Sequence, residues 1–106
     1  MQAGDIVFVN FSPTMGHEQS GERPALVVSD ELFNKHSGFV WVIPITGKCK
    51  NLPMELSLPP GLTTKGVLLL SQPRAVDYRA MHTRKLESVS AEFLEDIRAR
   101  LRAVIS

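Results

Sequence analysis

The chain has 106 residues, of which 43% are hydrophobic and 22% are charged, and its formal net charge at pH 7 is +1. This length and composition are typical of one globular domain, and we expect residues 1–106 to form it. So small a charge gives no argument for nucleic-acid binding by bulk electrostatics, and a polyanion would have to be held locally by a few placed arginines and backbone donors.

Nothing near the start of the chain is typical of export or of membrane insertion. Residues 1–5 read Met-Gln-Ala-Gly-Asp, without the basic start and apolar run of a signal peptide, and no run is long enough to span a bilayer. Cys49 is the only cysteine, so the sequence offers no internal disulfide and no cysteine cluster for zinc. These features favour the reducing cytoplasm as the compartment of the protein.

Six short segments have the pattern of β-strands, being rich in β-branched and aromatic residues or alternately polar and apolar. They cover residues 6–11, 25–28, 39–43, 54–58, 66–72 and 85–89. Pro44 directly follows the third segment. Because proline lacks a backbone N–H, we expect the paired part of that strand to end there.

Two helices are predicted from capping residues and apolar spacing. Ser29 or Asp30 can cap a short helix over residues 31–35, which Gly38 can end. After Ser90, a predicted N-cap, apolar residues recur at helical spacing and should pack on the sheet. This stripe consists of Leu94, Ile97, Leu101, Val104 and Ile105. Many short strands with a terminal helix favour a mainly β fold with helices, in which a small antiparallel sheet bends strongly or closes into a barrel.

Polar side chains concentrate in residues 16–24, where the sequence reads Gly-His-Glu-Gln-Ser-Gly-Glu-Arg-Pro. The segment lies between the first two predicted strands. Pro24 disfavours the helical region for the residue before it, Arg23. We therefore expect Arg23 to end a loop and to stand at the mouth of the next strand, where a cation can meet a ligand.

Four short motifs together resemble the MazF/PemK family of toxin–antitoxin ribonucleases, and its Kid-like branch most of all. They are Gly4-Asp5-Ile6-Val7, Pro13-Thr14-x-Gly16-x-Glu18-Gln19-x-Gly21-x-Arg23-Pro24, Pro44-x-Thr46 and Ser71-Gln72-Pro73-Arg74. Each motif is weak alone, but their order and spacing run through nearly the whole chain. The resemblance implies a small SH3-like barrel of the PemK/CcdB type with a C-terminal helix.

The resemblance also implies an activity and partners. The activity would be metal-independent, sequence-specific cleavage of single-stranded RNA such as mRNA by a type II toxin, leaving 2′,3′-cyclic phosphate and 5′-hydroxyl ends. No cofactor would be needed. The working form would be a homodimer, for which the apolar strand at residues 39–43 is a candidate surface. A cognate antitoxin would block the RNA site with an acidic, disordered segment.

Two catalytic residues of the family carry over to this sequence, Arg23 from the Arg-Pro pair and Thr46 from Pro-x-Thr. The planar guanidinium of Arg23 suits a charged phosphorane, since it can bind phosphate in a bidentate manner. Thr46 could donate a hydrogen bond to a phosphate oxygen. The alternatives are a surface ion pair of Arg23 with Glu18 or Glu22, and a Thr46 hydroxyl bonded to its own turn.

One position departs from the family pattern. Most relatives have an acidic residue before the glutamine of the last motif, and in the Kid-like branch this residue is assigned to catalysis. In this chain the position is Ser71. Leu69 likewise replaces a basic residue of Kid-like sequences. The acid–base assignment cannot be transferred, so His17 or Glu18 is predicted to move the proton. The alternatives are a solvated or partner-binding His17 and an ion-paired Glu18.

Four further residues are predicted to contact RNA. They are Gln19, Gln72, Arg74 and Arg79. Gln72 and Arg74 follow a buried strand and could hold RNA or pin the long loop instead, while a solvated face is the favoured alternative for Arg79.

Two other functions remain open. CcdB-like toxins share the fold and poison DNA gyrase through a tryptophan near the C-terminus, but the only tryptophan here is Trp41, which argues against that function. A relative that binds RNA or antitoxin without cleaving is the other alternative, which Ser71 keeps open.

Overall fold

The computed structural model describes residues 1–10, 22–79 and 83–106. Over these ranges the chain forms seven strands and two helices. In chain order they are β1 (Asp5–Asn10), β2 (Glu22–Val27), α1 (Glu31–Ser37), β3 (Phe39–Thr46), β4 (Glu55–Ser57), β5 (Val67–Leu69), β6 (Arg74–Asp77), β7 (Arg84–Ser88) and α2 (Ala91–Ile105). The expected mainly β fold with a C-terminal helix is confirmed.

The strands pair antiparallel in the order β4-β5-β3-β2-β1-β7, and β6 also pairs with β3. β3 is the centre of this arrangement because it pairs with three strands. One edge of β3 lies against β2. The other edge lies first against β6, as far as the pair Val42–Arg74, and then against β5, from the pair Ile45–Leu68 onward.

The expectation that pairing ends at Pro44 is wrong, since β3 continues to Thr46 and Pro44 pairs in register with Ala25 of β2. Pro44 lies between the last residue that pairs with β6 and the first that pairs with β5. A residue without an N–H is tolerated at such a change of partner. The strand therefore carries Thr46 past the proline to the end of the sheet.

Capping fixes both helices as the sequence predicts. The Asp30 carboxylate accepts the Leu32 N–H at 2.9 Å, so Asp30 and not Ser29 is the N-cap of α1, and Gly38 ends it with φ of 78°. Ser90 caps α2 by accepting the Phe93 N–H at 3.1 Å. No helix in the described ranges combines the length and the apolar character needed to cross a membrane.

Two hydrophobic clusters, one of which packs against α2, form the core. The first contains Ile6, Leu26, Val28, Ile43, Ile45, Leu68, Leu70 and Ile97, with Leu94 and Leu101 packed against it. The second contains Val7, Val9, Ala25, Val27, Val40, Val42 and Val76. The predicted stripe of α2 is correct only as far as Leu101. Val104 and Ile105 are 60% and 81% exposed, because the last turn lies over an open groove beside Trp41.

Candidate active site

A cleft of about 450 Å³ opens where β2 begins and β3 ends. The described residues that line it are Arg23, Thr46, Gly47, Lys48, Lys50, Leu52, Glu55, Leu69 and Gln72. Three of them, Arg23, Thr46 and Gln72, are residues that the sequence predicts for the site. Three cations and one carboxylate stand in this lining, so the cleft has the charge balance of an anion-binding site.

Arg23 is the second residue of β2 and pairs in register with Val9 of β1. Its backbone is extended, as expected for a residue before proline, and its side chain is half-buried in the cleft. Within the part of the chain that the structure describes, Arg23 forms no ion pair, so a pair with Glu22 does not hold it. Its guanidinium is positioned to meet an anion in the cleft.

Thr46 is the last residue of β3 and lines the cleft from the next strand. Its Oγ1 accepts the Lys48 N–H at 3.2 Å, which is the turn bond that the alternative interpretation predicted. A hydroxyl has two acceptor lone pairs and one donor hydrogen, so this bond orients the group and still leaves its hydrogen to donate. The turn bond and a phosphate contact are therefore compatible.

Gln72 and Ser71 are neighbours in sequence but lie in different depressions. Gln72 lines the cleft, and its N–H donates to the Leu69 carbonyl at 3.0 Å. Ser71 lines an apolar groove of about 210 Å³ formed with Trp41, Leu101 and other residues. The position at which the family carries an acid is thus outside the described lining of the cleft.

The two predicted RNA-binding arginines lie outside this lining. Arg74 begins β6 and pairs in register with Val42. Arg79 follows β6. Its guanidinium carbon lies 5.8 Å from the centre of the Tyr78 ring, and its backbone N–H donates to the Asp77 carboxylate at 3.2 Å. β6 pairs with the start of β3, where Asp77 lies opposite Phe39, so Arg79 follows the end of β6 that is remote from Thr46. The span of β3 from Phe39 to Thr46 is roughly 23 Å at about 3.3 Å per residue.

His17, Glu18 and Gln19 lie outside the described residues. The described residues that flank this segment, Asn10 and Glu22, pair in register beside the pair of Val9 and Arg23.

Glu55 is the site residue that sequence reasoning missed. It begins β4, and its Oε1 accepts the Lys50 N–H at 2.9 Å, the Leu52 N–H at 3.4 Å and the Cys49 thiol at 3.5 Å. Desolvation raises the pKa of Glu55, but these hydrogen bonds outweigh it, and the net pKa lies below the ordinary value. The only available signal was a carboxylate just after a proline turn.

The lining brings the guanidinium of Arg23 and the hydroxyl of Thr46 to one cleft, and both groups can bind an anion. Among the described residues, no three His, Cys, Asp or Glu side chains converge to hold a metal ion. The tryptophan that a gyrase poison would carry near its C-terminus has no counterpart here, since Trp41 lies on β3 with its ring 5.9 Å from that of Phe33.

Comparison with known proteins agrees with the geometry. Residues 2–105 match the family described as the PemK-like, MazF-like toxin of type II toxin–antitoxin systems. The endoribonuclease toxin MazF of Escherichia coli strain K12 is 36% identical over 102 residues, which cover 96% of this chain and 91% of the relative. The endoribonuclease PemK of Escherichia coli is 33% identical over 110 residues, covering 100% of this chain and 83% of the relative.

A solved structure shares the fold over nearly its full length. The MazE–MazF crystal structure (Form-II) from Deinococcus radiodurans superposes with a TM-score of 0.87 at 36% identity, covering 99% of this chain and 95% of that chain. The resemblance found in the motifs is confirmed, and with it the expected class of endoribonuclease toxin. The chain belongs to the PemK-like, MazF-like family of toxins of type II toxin–antitoxin systems.

Proposed function

We propose that this endoribonuclease toxin cleaves single-stranded RNA, including mRNA, in the cleft between Arg23 and Thr46, without a metal ion and with sequence specificity. The observation that carries the proposal is that these two residues, from different strands, line one cleft together with Lys48 and Lys50. A guanidinium and a hydroxyl that converge on one anion are the groups that phosphoryl chemistry needs.

The reaction uses the RNA's own 2′-hydroxyl as nucleophile. A base removes the 2′-hydroxyl proton, the 2′-oxygen bonds to the adjacent phosphorus, and the bond from phosphorus to the 5′-oxygen breaks. An acid gives a proton to the departing 5′-oxygen. The products are a 2′,3′-cyclic phosphate and a 5′-hydroxyl. Arg23 stabilises the charge on the non-bridging oxygens, and Thr46 donates its hydroxyl hydrogen to one of them.

His17 and Glu18 remain the proposed proton carriers. Glu55 is the one carboxylate among the described lining residues, but its pKa is lowered and its Oε1 already accepts hydrogen bonds. A base with a lowered pKa takes the 2′-hydroxyl proton poorly. Ser71, which lies in the apolar groove, has no acid to offer. The proton work is therefore assigned to the loop that precedes Arg23.

RNA binding extends the contacts of the cleft. Gln72 supplies amide donors and an acceptor for a base or a ribose hydroxyl. Gln19, Arg74 and Arg79 are proposed to contact the strand beyond the cleft.

A cognate antitoxin is the proposed protein partner. A homologous toxin from Deinococcus radiodurans has been solved together with MazE. An acidic, disordered segment would place carboxylates against Arg23, Lys48 and Lys50 and so exclude RNA. The cytoplasm, where mRNA is translated, is the proposed location.

A second copy of the chain is the other proposed partner. Residues 39–42 of β3 pair with β6 on one edge; on the other, residues 42–44 pair with β2 and the Phe39 and Trp41 N–H groups donate to the Ser37 and Ser29 hydroxyls, which disfavours strand addition across an interface. The face of β3 instead offers Phe39 and Trp41, which are 43% and 51% exposed. Trp41 also borders the apolar groove that Val104 and Ile105 line. A homodimer that covers this apolar face is the arrangement we propose.

A cleavage assay in excess EDTA tests the function. Purified protein is mixed with a long unstructured RNA, and the product ends are identified by mass spectrometry. Discrete cuts with cyclic phosphate ends are expected, and Arg23→Ala should slow their appearance about 10²–10³-fold. Arg102→Ala is the matched control, since Arg102 lies on α2 in an ion pair with Glu95. RNA left intact by a folded protein would favour the relative that binds without cleaving.

A further inference from the structure

The cationic rim of the cleft is a loop, residues 47–54, that is held by a side chain at each end. At its start, Thr46 Oγ1 accepts the Lys48 N–H at 3.2 Å. At its end, Glu55 Oε1 accepts the Lys50 N–H at 2.9 Å and the Leu52 N–H at 3.4 Å. We call this segment the rim loop. These hydrogen bonds hold the two ends of the loop that presents Lys48 and Lys50 to the cleft.

The rim loop turns so that several backbone donors face one point. Asn51 has a φ of 54°, the left-handed conformation that reverses the chain, and the Glu55 N–H donates to the Leu52 carbonyl at 3.0 Å. The Lys50 and Leu52 N–H groups both face the Glu55 carboxylate, and backbone N–H groups that converge in this way form a concave site that binds anions. The anion bound here is the Glu55 carboxylate, which also accepts the Cys49 thiol at 3.5 Å.

The negative charge of Glu55 opposes the positive potential of the cleft. A carboxylate beside Arg23, Lys48 and Lys50 repels an RNA phosphate and lowers the positive potential there. Its hydrogen bonds go to two backbone N–H groups and one thiol of the rim loop, and no ion pair to a cleft cation is formed among the described residues. These contacts indicate that Glu55 holds the conformation of the rim loop.

We infer that Glu55 is a positioning residue whose carboxylate folds the rim loop so that Lys48 and Lys50 contact the RNA backbone beside Arg23 and Thr46. The inference rests on the proposed function, because it assumes that RNA occupies the cleft. It assigns part of the phosphate binding to a residue that carries the same sign of charge as the ligand.

Binding of a fluorescein-labelled single-stranded deoxyoligonucleotide, which lacks the 2′-hydroxyl and cannot be cleaved, tests this inference. Anisotropy titrations between about 50 and 200 mM salt give both Kd and the slope of log Kd against log salt, which counts phosphate contacts. Glu55→Ala should weaken binding about tenfold and lower the slope by about one to two, since each released lysine removes about one contact. Glu55→Gln keeps an acceptor for the N–H groups and should bind as tightly as wild type or more tightly.

A purely electrostatic role for Glu55 predicts the opposite sign. Removing a negative charge would then tighten binding equally in Glu55→Ala and Glu55→Gln, and that result would overturn the inference. Glu87→Ala is the matched control, because Glu87 also accepts backbone N–H groups, those of Thr63 and Thr64, without lining the cleft. It should leave the salt slope unchanged even if it lowers the melting temperature.

A double-mutant comparison separates positioning from general unfolding. In a variant that already lacks both lysines, Lys48→Ala with Lys50→Ala, adding Glu55→Ala should change the Kd by less than about twofold, because coupled residues are not additive. A further tenfold loss would contradict the inference. If the wild-type protein binds neither this oligonucleotide nor its RNA counterpart, the proposed function fails; wild-type binding with an unchanged Glu55→Ala slope defeats the inference alone.

Discussion

Gly66 lies so close to Thr46 that a Cβ built on the glycine would stand 2.5 Å from the Thr46 carbonyl oxygen. Gly66 precedes β5, where Val67 pairs in register with Thr46, and its φ of 135° is one that residues with a side chain rarely adopt. Because position 66 has no side chain, the backbone there can pack directly against the backbone of Thr46, a proposed catalytic residue.

Gly66→Ala should displace Thr46 and reduce both stability and cleavage. The backbone conformation alone costs on the order of 1–3 kcal/mol for a residue with a Cβ, and the contact with Thr46 adds to it. Gly61→Ala is the control, because Gly61 also has positive φ, at 96°, but a Cβ there meets nothing within 4 Å. Urea unfolding and initial cleavage rates should both rank Gly66→Ala below Gly61→Ala; equal values would mean that the contact does not position Thr46.

Arg23 and Thr46 should respond differently to conservative exchange. Arg23→Ala should lower the rate of the chemical step about 10²–10³-fold, as loss of a preorganised transition-state donor does, and Arg23→Lys should recover only part of it because ammonium lacks the planar fork. Thr46→Ser keeps the hydroxyl and should stay near wild type, whereas Thr46→Val should lose activity. Single-turnover rates on one RNA substrate measure these effects. Full activity of Thr46→Val would remove the hydroxyl from the mechanism.

The pH dependence of cleavage should identify the base. If His17 takes the 2′-hydroxyl proton, the rate should rise with pH through a group of pKa about 6.5, and His17→Ala should remove that limb. His36→Ala, an exposed histidine of α1, should leave it in place. If the rise of the rate near neutral pH survives in His17→Ala, His17 is not the base, and Glu18→Gln is then the variant to measure.

Glu87 should make the fold sensitive to acid. The Thr64 hydroxyl and N–H, both at 2.6 Å, and then the Thr63 N–H at 3.0 Å, hold the pKa of Glu87 below its usual value of 4.5. A lowered folded-state pKa gives stability that is present above pH 4.5 and is lost as the pH falls through the folded value.

The melting temperature of Glu87→Gln should therefore lie below that of wild type at pH 7 and approach it near pH 3. Glu92→Gln, an exposed change in the first turn of α2, is the control for a loss of charge alone. A difference between Glu87→Gln and wild type that stays constant from pH 7 to pH 3 would refute the linkage.

The proposed dimer should depend on Trp41. Trp41→Asp places a charge on the apolar face of β3 beside the groove and should shift the protein toward monomer in sedimentation velocity at micromolar concentration. Leu32→Asp is the control, since Leu32 is 65% exposed on α1 and does not line the groove. A wild-type protein that sediments as a monomer would remove the dimer altogether.

The sequence predicted the framework of the fold because its buried strands are continuous apolar runs and its helix caps are local. It missed β6 because only Val76 of that strand is buried, so no alternation marks it. It predicted too early an end for β3 at Pro44, since the change of partner from β6 to β5 that tolerates the proline is a property of the assembled sheet.

The site residues likewise fall into those that the sequence predicted and those that it missed. Arg23 and Thr46 are recognisable because each stands in a short motif, and the structure brings them into one cleft. Glu55 carries no motif: its environment depends on the conformation of Asn51 and on amides that converge only after the rim loop has turned. The opposite placement of Ser71 and Gln72 likewise follows from a turn that local sequence does not reveal.

The close approach of Gly66 to Thr46 also bears on how such a toxin can change over evolution. The backbone of Thr46 is in close contact with Gly66, whereas the lysines beside it belong to the rim loop, which reaches Thr46 through the Lys48 N–H. Exchange of the Lys48 and Lys50 side chains keeps the backbone N–H of Lys48, so we expect it to leave the Thr46 backbone and its turn bond in place. The proposed active site therefore predicts that target preference can change through the loop while the chemistry at Thr46 is preserved.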